Sequence, residues 1–146
     1  MLTALPVPHT EAPPAVRTFD TVAEAMATVA ASKKCYAGFA KFTAVAALGY
    51  ALWDTFTEGK FCGNGARVTS ATFNRSWSSI ASLGWRDTGQ IGKGAGVVNG
   101  QARIWSQRRM VFGAGGWDLQ TWQPCVRING KANGSAKTNF VCSIYG

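Results

Sequence analysis

The chain has 146 residues and four cysteines, which is enough for one domain with a modest core. Its only histidine, His9, lies in a proline-rich segment, which excludes Ser-His-Asp, Cys-His and histidine-based metal sites from the folded part. The net charge of +8 is uneven: residues 1–59 carry four Lys or Arg against five Asp or Glu, and the remainder carries eleven against two. A basic, tryptophan-rich second half either attracts polyanions or simply keeps the domain soluble.

Residues 1–18 hold four of the five prolines and few bulky apolar residues. This composition predicts a disordered arm, which lacks the basic start and apolar stretch of a signal peptide. The change in composition near Gly59 then predicts a helical anchor segment over residues 19–58 and a basic antiparallel β domain over residues 59–146.

The segment after the arm begins with a helix start signal. Thr21 and Glu24 have capping-box spacing, in which the two side chains satisfy backbone amides of the first helical turn. An alanine-rich stretch follows, with Val22 and Met26 on one stripe. The pattern predicts a first helix over residues 22–32.

Residues 35–53 carry a single charge, Lys41, and their length falls within the roughly 17–25 residues that span a bilayer. We expect a second helix here that serves as a membrane anchor, with flanking lysines keeping the N-terminus in the cytoplasm. The alternatives are a buried helix of a soluble fold, a helix lying against a partner, and an export signal that begins at Met26. The anchoring side chains would be Tyr36, Phe39, Phe42, Val45, Leu48, Leu52 and Trp53.

After Gly59 the apolar residues recur every second position, with frequent Gly and Asn between them. Residues 77–83 fit either a helical turn or a strand. The predicted fold class is therefore α+β, with two N-terminal helices followed by a small antiparallel sheet. Its strands are expected near Ala66–Phe73, Ala95–Val98, Gln101–Trp105, Arg109–Phe112, Trp122–Ile128 and Thr138–Ile144.

Two Asn-Gly dipeptides predict hairpins. Asn99-Gly100 suits a type I′ turn, whose central residues both need positive φ. Asn133-Gly134, taken as a second two-residue turn, places Cys125 opposite Cys142 at a non-hydrogen-bonded pair, where the Cα separation of about 4.5 Å accepts a disulfide. Asn129-Gly130 is the alternative turn. The disulfide would put this end of the chain in an oxidising compartment, at the surface of a cell or virion.

Cys35 and Cys62 distinguish between topologies. If residues 35–57 form one straight helix, its ends lie about 33 Å apart and the two thiols cannot pair. A break near Gly49 would allow the bond, whereas a membrane span would forbid it.

Few residues suggest catalysis. Asp87 and Asp118 are the only acids after Glu58, and turn formation or pairing with an arginine such as Arg86 explains them better than a hydrolase site does. The glycine-rich stretch around Lys93 lacks the Ser or Thr of a phosphate loop. No enzyme activity, cofactor or metal is therefore predicted.

The second half also contains arginines interspersed with tryptophans, a combination that binds phosphates or carboxylates while stacking on bases or sugars. The predicted ligand-binding or partner-binding residues are Arg103, Trp105, Arg108, Arg109, Trp117, Trp122 and Arg127. We expect a non-enzymatic structural or surface component, anchored in a membrane or an assembly of subunits. The alternative is a soluble exported module that binds a polyanion, a glycan or single-stranded nucleic acid.

Overall fold

The computed structural model describes residues 20–27 and 33–146, and these form an all-β protein. No helix occurs among the described residues, so the predicted α+β class is wrong. The strands of this part are β1 (Asp20–Ala27), β2 (Lys34–Val45), β3 (Ala51–Gly63), β4 (Val68–Ile80), β5 (Trp85–Val98), β6 (Gln101–Ala114), β7 (Trp117–Trp122), β8 (Cys125–Gly130) and β9 (Ala136–Asn139).

The strands form two antiparallel sheets. The first sheet has the order β1-β2-β3-β4, and the second has the order β5-β6-β8-β9. β7 pairs with the C-terminal half of β6, and β8 pairs with its N-terminal half. Because the strands alternate in direction, the β3–β4, β5–β6 and β8–β9 turns lie at one end of the molecule, and the β2–β3, β4–β5 and β6–β7 turns lie at the other.

Residues 35–53 form β2 and the start of β3, which corrects the prediction of a helical anchor. Ala40, Phe42 and Ala44 are buried, while Phe39 and Lys41 lie on the other face, as the two-residue period of a strand requires. Two of the buried positions of β2 are occupied by alanine, which is only weakly hydrophobic. The alternation of buried and exposed positions is therefore not visible as a hydrophobic pattern in the sequence. Pairing with β3 along the whole of β2 outweighs the helix propensity of alanine.

The other N-terminal predictions are tested only in part. Residues 22–27 of the predicted first helix lie in β1, whereas residues 28–32 and the arm over residues 1–18 fall outside the described residues. The predicted boundary after residue 58 falls within β3. The described residues include no helix long and apolar enough to cross a membrane.

Most predicted strands of the second half are longer or interrupted in the structure, and the one expected at 138–144 is instead the shorter β9, which ends at Asn139. The strands expected at 101–105 and 109–112 are one strand, β6, and residues 77–80 belong to β4. The strand expected at 122–128 is divided at Pro124 between β7 and β8, because proline has no amide hydrogen to donate to the ladder.

The core lies between the two sheets. A buried polar link also joins them: the Thr57 hydroxyl donates to the Val126 carbonyl at 2.9 Å and accepts from the Ser106 hydroxyl at 2.5 Å. Among the largest fully buried side chains are Trp53, Phe61, Ile104, Met110 and Ile128.

The Asn99-Gly100 hairpin is confirmed. Both residues have positive φ, 52° and 74°, and Val98 pairs with Gln101. This is the backbone of a type I′ turn, which asparagine and glycine tolerate better than other residues.

The Cys125–Cys142 disulfide is also confirmed, but the predicted register of its hairpin is wrong by one residue. The Lys131 carbonyl accepts from the Gly134 amide, and Gly134 adopts φ 93°, so the turn has three residues and a glycine bulge rather than two residues. The extra residue pairs Arg127 with Asn139, and the ladder ends before Cys142. The disulfide then joins β8 to the segment that follows β9, with the Cα atoms 5.3 Å apart.

A second disulfide joins Cys35 to Cys62, which pair directly across β2 and β3. This bond is incompatible with one straight helix over residues 35–57. Two disulfides, with no free cysteine in the described part of the chain, indicate an oxidising compartment, periplasmic or extracellular.

Candidate ligand-binding face

β6 directs alternate side chains to the core and to the outside of the second sheet. Ala102 and Ile104 are buried in the core, so the residues between and beyond them in the same alternation point outwards. These outward side chains are half-buried. Since a strand rises about 3.3 Å per residue, they form a row about 20 Å long. We call this row, Arg103, Trp105, Gln107 and Arg109, the β6 face.

Trp105 lies flat on a stripe of glycines in β5. A Cβ atom added to Gly94 would lie 2.4 Å from the Trp105 Nε1, and one added to Gly92 would lie 3.2 Å from the far edge of the ring. Only residues without a side chain at these two positions let the indole approach the backbone so closely. One ring face therefore covers β5, and the other is turned away from the sheet.

The chain after β9 crosses the outside of the second sheet beside Trp105. Arg127, which pairs with Trp105 in register, is almost fully buried beneath this segment. Its guanidinium donates to the carbonyls of Ser143 and Tyr145 at 2.8 and 3.0 Å. Burial, and then the charge of Arg103, lower the pKa of the Arg127 guanidinium from its usual value. Arg127 therefore holds the segment in place and is not available to a ligand.

Two polar atoms next to this crossing have no hydrogen-bond partner. Arg103 pairs in register with Asn129, and the Nε of Arg103 and the Oδ1 of Asn129 are both buried and unpartnered. Another nitrogen of Arg103 donates to the Ile144 carbonyl at 3.4 Å. Such groups are uncommon in folded proteins and mark places where water or a ligand completes the bonding.

Two clefts open at the end of the molecule formed by the β3–β4, β5–β6 and β8–β9 turns. The larger has a volume of about 510 Å³ and is lined by Arg67, Asn99, Gln101 and Lys131, among others. The smaller has a volume of about 140 Å³ and shares Gln101 and Lys131 with it. It adds Lys137, as well as Asn129 with its unpartnered oxygen.

We call the cations that line these clefts, Arg67, Lys131 and Lys137, the basic pole. The described residues that line the clefts include no carboxylate. Gln101 precedes Arg103 on the same side of β6, so the basic pole continues into the β6 face. Together they form one cationic surface with a flat aromatic ring.

Arg108 points the other way from Arg109 and lies between β4 and β5. Its Nε donates to Asp87 at 2.8 Å, and a terminal nitrogen donates to the Ser76 hydroxyl at 2.7 Å. Burial alone would raise the pKa of Asp87, but hydrogen bonds from Ser78, Arg108 and the Gly89 amide outweigh it and hold the pKa below its usual value. This partly buried pair is part of the contact between the sheets, so Arg108 does not join the predicted ligand face.

The remaining predicted ligand residues are separated. Arg109 belongs to the β6 face, where it lies beside Thr88 of β5. Trp122 is 4% exposed and lies in the core. Trp117 is 74% exposed, but it lies at the end of the molecule away from the basic pole. Of the seven residues predicted, the structure therefore brings Arg103, Trp105 and Arg109 together on an accessible surface.

The residues predicted as a membrane anchor are distributed over both faces of the first sheet. Leu48 lies in the β2–β3 turn and is 79% exposed. Phe39 is on the outer face, with Val45 in the same alternation. Phe42, Leu52 and Trp53 are core residues, and Tyr36 packs against the core.

Phe39 belongs to an aromatic cluster on the outside of the first sheet. Phe56 and Trp77 stack with their ring centres 4.7 Å apart, Phe39 packs edge-on against both, and Arg75 covers Trp77 at 4.4 Å. Arg75 is itself paired with Glu58 at 2.6 Å. The ring faces are thus occupied by other side chains, which makes this cluster a weaker ligand site than Trp105.

The acidic side chains of the second half are engaged in ion pairs or lie apart from one another. The described residues include no group of three His, Cys, Asp or Glu side chains placed to hold a metal ion. Asp118 is paired with Arg86 at 2.9 Å, and Asp87 is paired with Arg108 at 2.8 Å.

The basic pole and the glycine stripe were not predicted from the sequence. Lys131 and Lys137 flank the Asn133-Gly134 turn, and Arg67 follows Gly65 at another turn. The sequence places these cations near alternate turns. In an up-and-down arrangement of strands, alternate turns lie at the same end of the molecule, so the cations could have been expected to cluster. The alternating Gly92, Gly94 and Gly96 opposite Trp105 were the signal for a ring lying flat on the sheet.

Comparisons with known proteins add no constraint: the chain matches no protein-family model, no curated protein and no solved structure.

Proposed function

We propose that this protein is a non-enzymatic, exported binding module for an acidic polysaccharide. The β6 face and the basic pole contact the ligand. The observation that carries the proposal is the flat Trp105 indole, supported on Gly92 and Gly94, beside a row of cations that form no ion pair with a carboxylate of the described residues.

The chemistry of this surface favours a sugar polymer that bears negative charges. The indole face that points away from β5 can pack against the apolar face of a sugar ring, and it does so with little loss of side-chain freedom because the glycine stripe already holds the ring. Arginine and lysine donate charge-assisted hydrogen bonds to carboxylates or sulfates. The oxidising compartment favours an extracellular polysaccharide over nucleic acid as the polyanion.

The expected membrane-anchored role is not proposed. It depended on a helix over residues 35–53, and those residues are paired strands. A surface-exposed or secreted binding module remains compatible with the disulfides and with the basic surface.

The test is calorimetric titration of the full chain with heparin, a sulfated polysaccharide, at several salt concentrations. Trp105→Ala is expected to weaken binding about tenfold, since stacking on one aromatic ring contributes roughly 1–3 kcal/mol. The pair Lys131→Ala and Lys137→Ala should weaken binding tenfold or more and reduce the salt dependence, because fewer counterions are displaced.

The matched control is the pair Lys41→Ala and Lys60→Ala, which removes the same charge from the outer face of the first sheet. It is expected to change the affinity by less than about threefold, as a distant charge acts only through the screened field. If both lysine double variants lost the same affinity for heparin, net charge alone would explain the binding, and the proposal would be contradicted. The absence of heparin binding by the wild type would also contradict it.

A further inference from the structure

The end of the molecule opposite the basic pole is apolar. It is formed by the β2–β3, β4–β5 and β6–β7 turns together with the strand ends that adjoin them. Among the described residues, six of the ten exposed large hydrophobic side chains lie here, and Leu83 is 95% exposed. We call this set, Leu48, Tyr50, Ile80, Leu83, Trp117 and Leu119, the apolar pole.

A cleft of about 530 Å³ opens within the apolar pole. Its walls include Tyr50 and Leu83 from the turns and Trp85 and Phe112 from the edge of the core. Trp117 stands beside the cleft at the start of β7, 74% exposed. Exposed apolar surface of this kind, next to an open cleft, marks an interaction site.

The charges at this pole identify the occupant. Arg86 and Asp118 pair with each other at 2.9 Å, and each side chain is about half exposed. A surface that carries one cation and one anion beside an apolar patch is complementary to itself across a two-fold axis, where the arginine of one copy meets the aspartate of the other. An anionic membrane would instead require an unpaired cation here, and Arg86, the cation described at this pole, is already paired with Asp118.

We propose that the apolar pole binds the same pole of a second copy of this chain, forming a two-fold homodimer. Trp117 of each copy enters the cleft of the other, as a buried tryptophan anchor does in many interfaces. This arrangement places the two basic poles at opposite ends of the dimer, where their mutual repulsion is smallest. The inference does not depend on the identity of the ligand.

The test is sedimentation velocity of the full chain over a wide range of concentration. The wild type is expected to be a dimer that dissociates on dilution. Trp117→Ala and Leu83→Asp should be monomers at concentrations where the wild type is dimeric. Ile91→Asp, at a 48% exposed site on β5 away from the pole, is the matched control and should remain a dimer.

A charge exchange tests the two-fold geometry. Arg86→Asp alone and Asp118→Arg alone should each weaken the homodimer, because like charges then meet across the axis. A mixture of the two variants should form heterodimers, which an ion pair confined to one copy would not produce.

A wild type that stays monomeric at every concentration would overturn the proposal. So would a monomer that sediments with vesicles of phosphatidylcholine, which would assign the apolar pole to a membrane surface. Dimers that persist in both Trp117→Ala and Leu83→Asp would place the contact elsewhere. None of these outcomes depends on polysaccharide binding, so the two proposals fail separately.

Discussion

At the scale of single residues, the partly buried ion pair between Asp87 and Arg108 gives a prediction for pH dependence. The pKa of Asp87 is lower in the folded protein than in the unfolded chain, because hydrogen bonds to the carboxylate outweigh the effect of burial. A depressed carboxyl pKa stabilises the fold above the unfolded value of about 3.9, and this contribution is lost as the pH falls through the folded value.

Thermal unfolding of the wild type and of Asp87→Asn should therefore differ in their pH profiles. The wild type should lose stability more steeply below about pH 4, whereas Asp87→Asn should start lower at neutral pH and decline less. Parallel profiles for the two proteins would show that Asp87 contributes no pH-dependent stability.

At the scale of elements, the β8–β9 turn of the second sheet packs against Tyr36 of the first sheet. Gly134 has φ 93°, and a Cβ atom at this position would lie 2.5 Å from the ring of Tyr36, which packs on Phe61. Gly65 in the β3–β4 turn has nearly the same φ, 95°, but nothing lies within 4 Å of its added Cβ.

The two glycines form a matched pair for stability measurements. Gly65→Ala should lower the free energy of unfolding by about 1–2 kcal/mol, the cost of a left-handed backbone for alanine. Gly134→Ala should cost a further 1–3 kcal/mol or so, because Tyr36 must also move. Urea unfolding of both variants measures the difference, and equal losses would mean that Tyr36 yields without resistance.

Local turn chemistry made part of the fold predictable. Asn99-Gly100 specifies its own turn, because both positive φ values are set by these two residues. Asn133-Gly134 led to the correct Cys125–Cys142 disulfide through the wrong register, since the two-residue and three-residue turns differ by one residue and a disulfide tolerates either. In both cases the turn signal is an adjacent Asn-Gly pair, which is visible in the sequence without any distant contact.

The error over residues 35–53 has the opposite cause. Ala40 and Ala44 are buried in the core that the two sheets share, and their burial depends on residues far away in the chain. Because alanine has a high helix propensity, the alanine-rich residues 35–53 were interpreted as a helix and not as a strand with a two-residue period. The bond between Cys35 and Cys62, which the sequence allowed only if a helix broke near Gly49, fixes the hairpin in this region.

The candidate site was predictable only where it follows strand alternation. Arg103 and Trp105 fall in the strand expected over residues 101–105, whose two-residue period puts them on one side, and the structure places them there. Arg127 and Arg108 also look like ligand-binding residues in sequence, but each is engaged by partners far along the chain. Whether a cation is free or paired depends on tertiary contacts that composition does not reveal.

At the scale of the whole molecule, the two ends have opposite character. The clefts of the basic pole are lined by cations and by no carboxylate of the described residues, and the apolar pole holds exposed Leu83 and Trp117 beside a cleft. A dimer joined at the apolar poles would present two basic surfaces to one long polyanion. Two linked sites raise the avidity well above that of one site when the polymer spans both.

The central claim is that a polyanion binds along the β6 face and the basic pole. Backbone and indole NMR spectra of the protein, recorded with increasing heparin oligosaccharide, test it most directly. The account predicts that the largest shifts occur at the Trp105 indole and at the amides of Gln101, Lys131 and Lys137. Shifts confined to Phe56, Trp77 and Arg75 on the first sheet, with Trp105 unchanged, would contradict it.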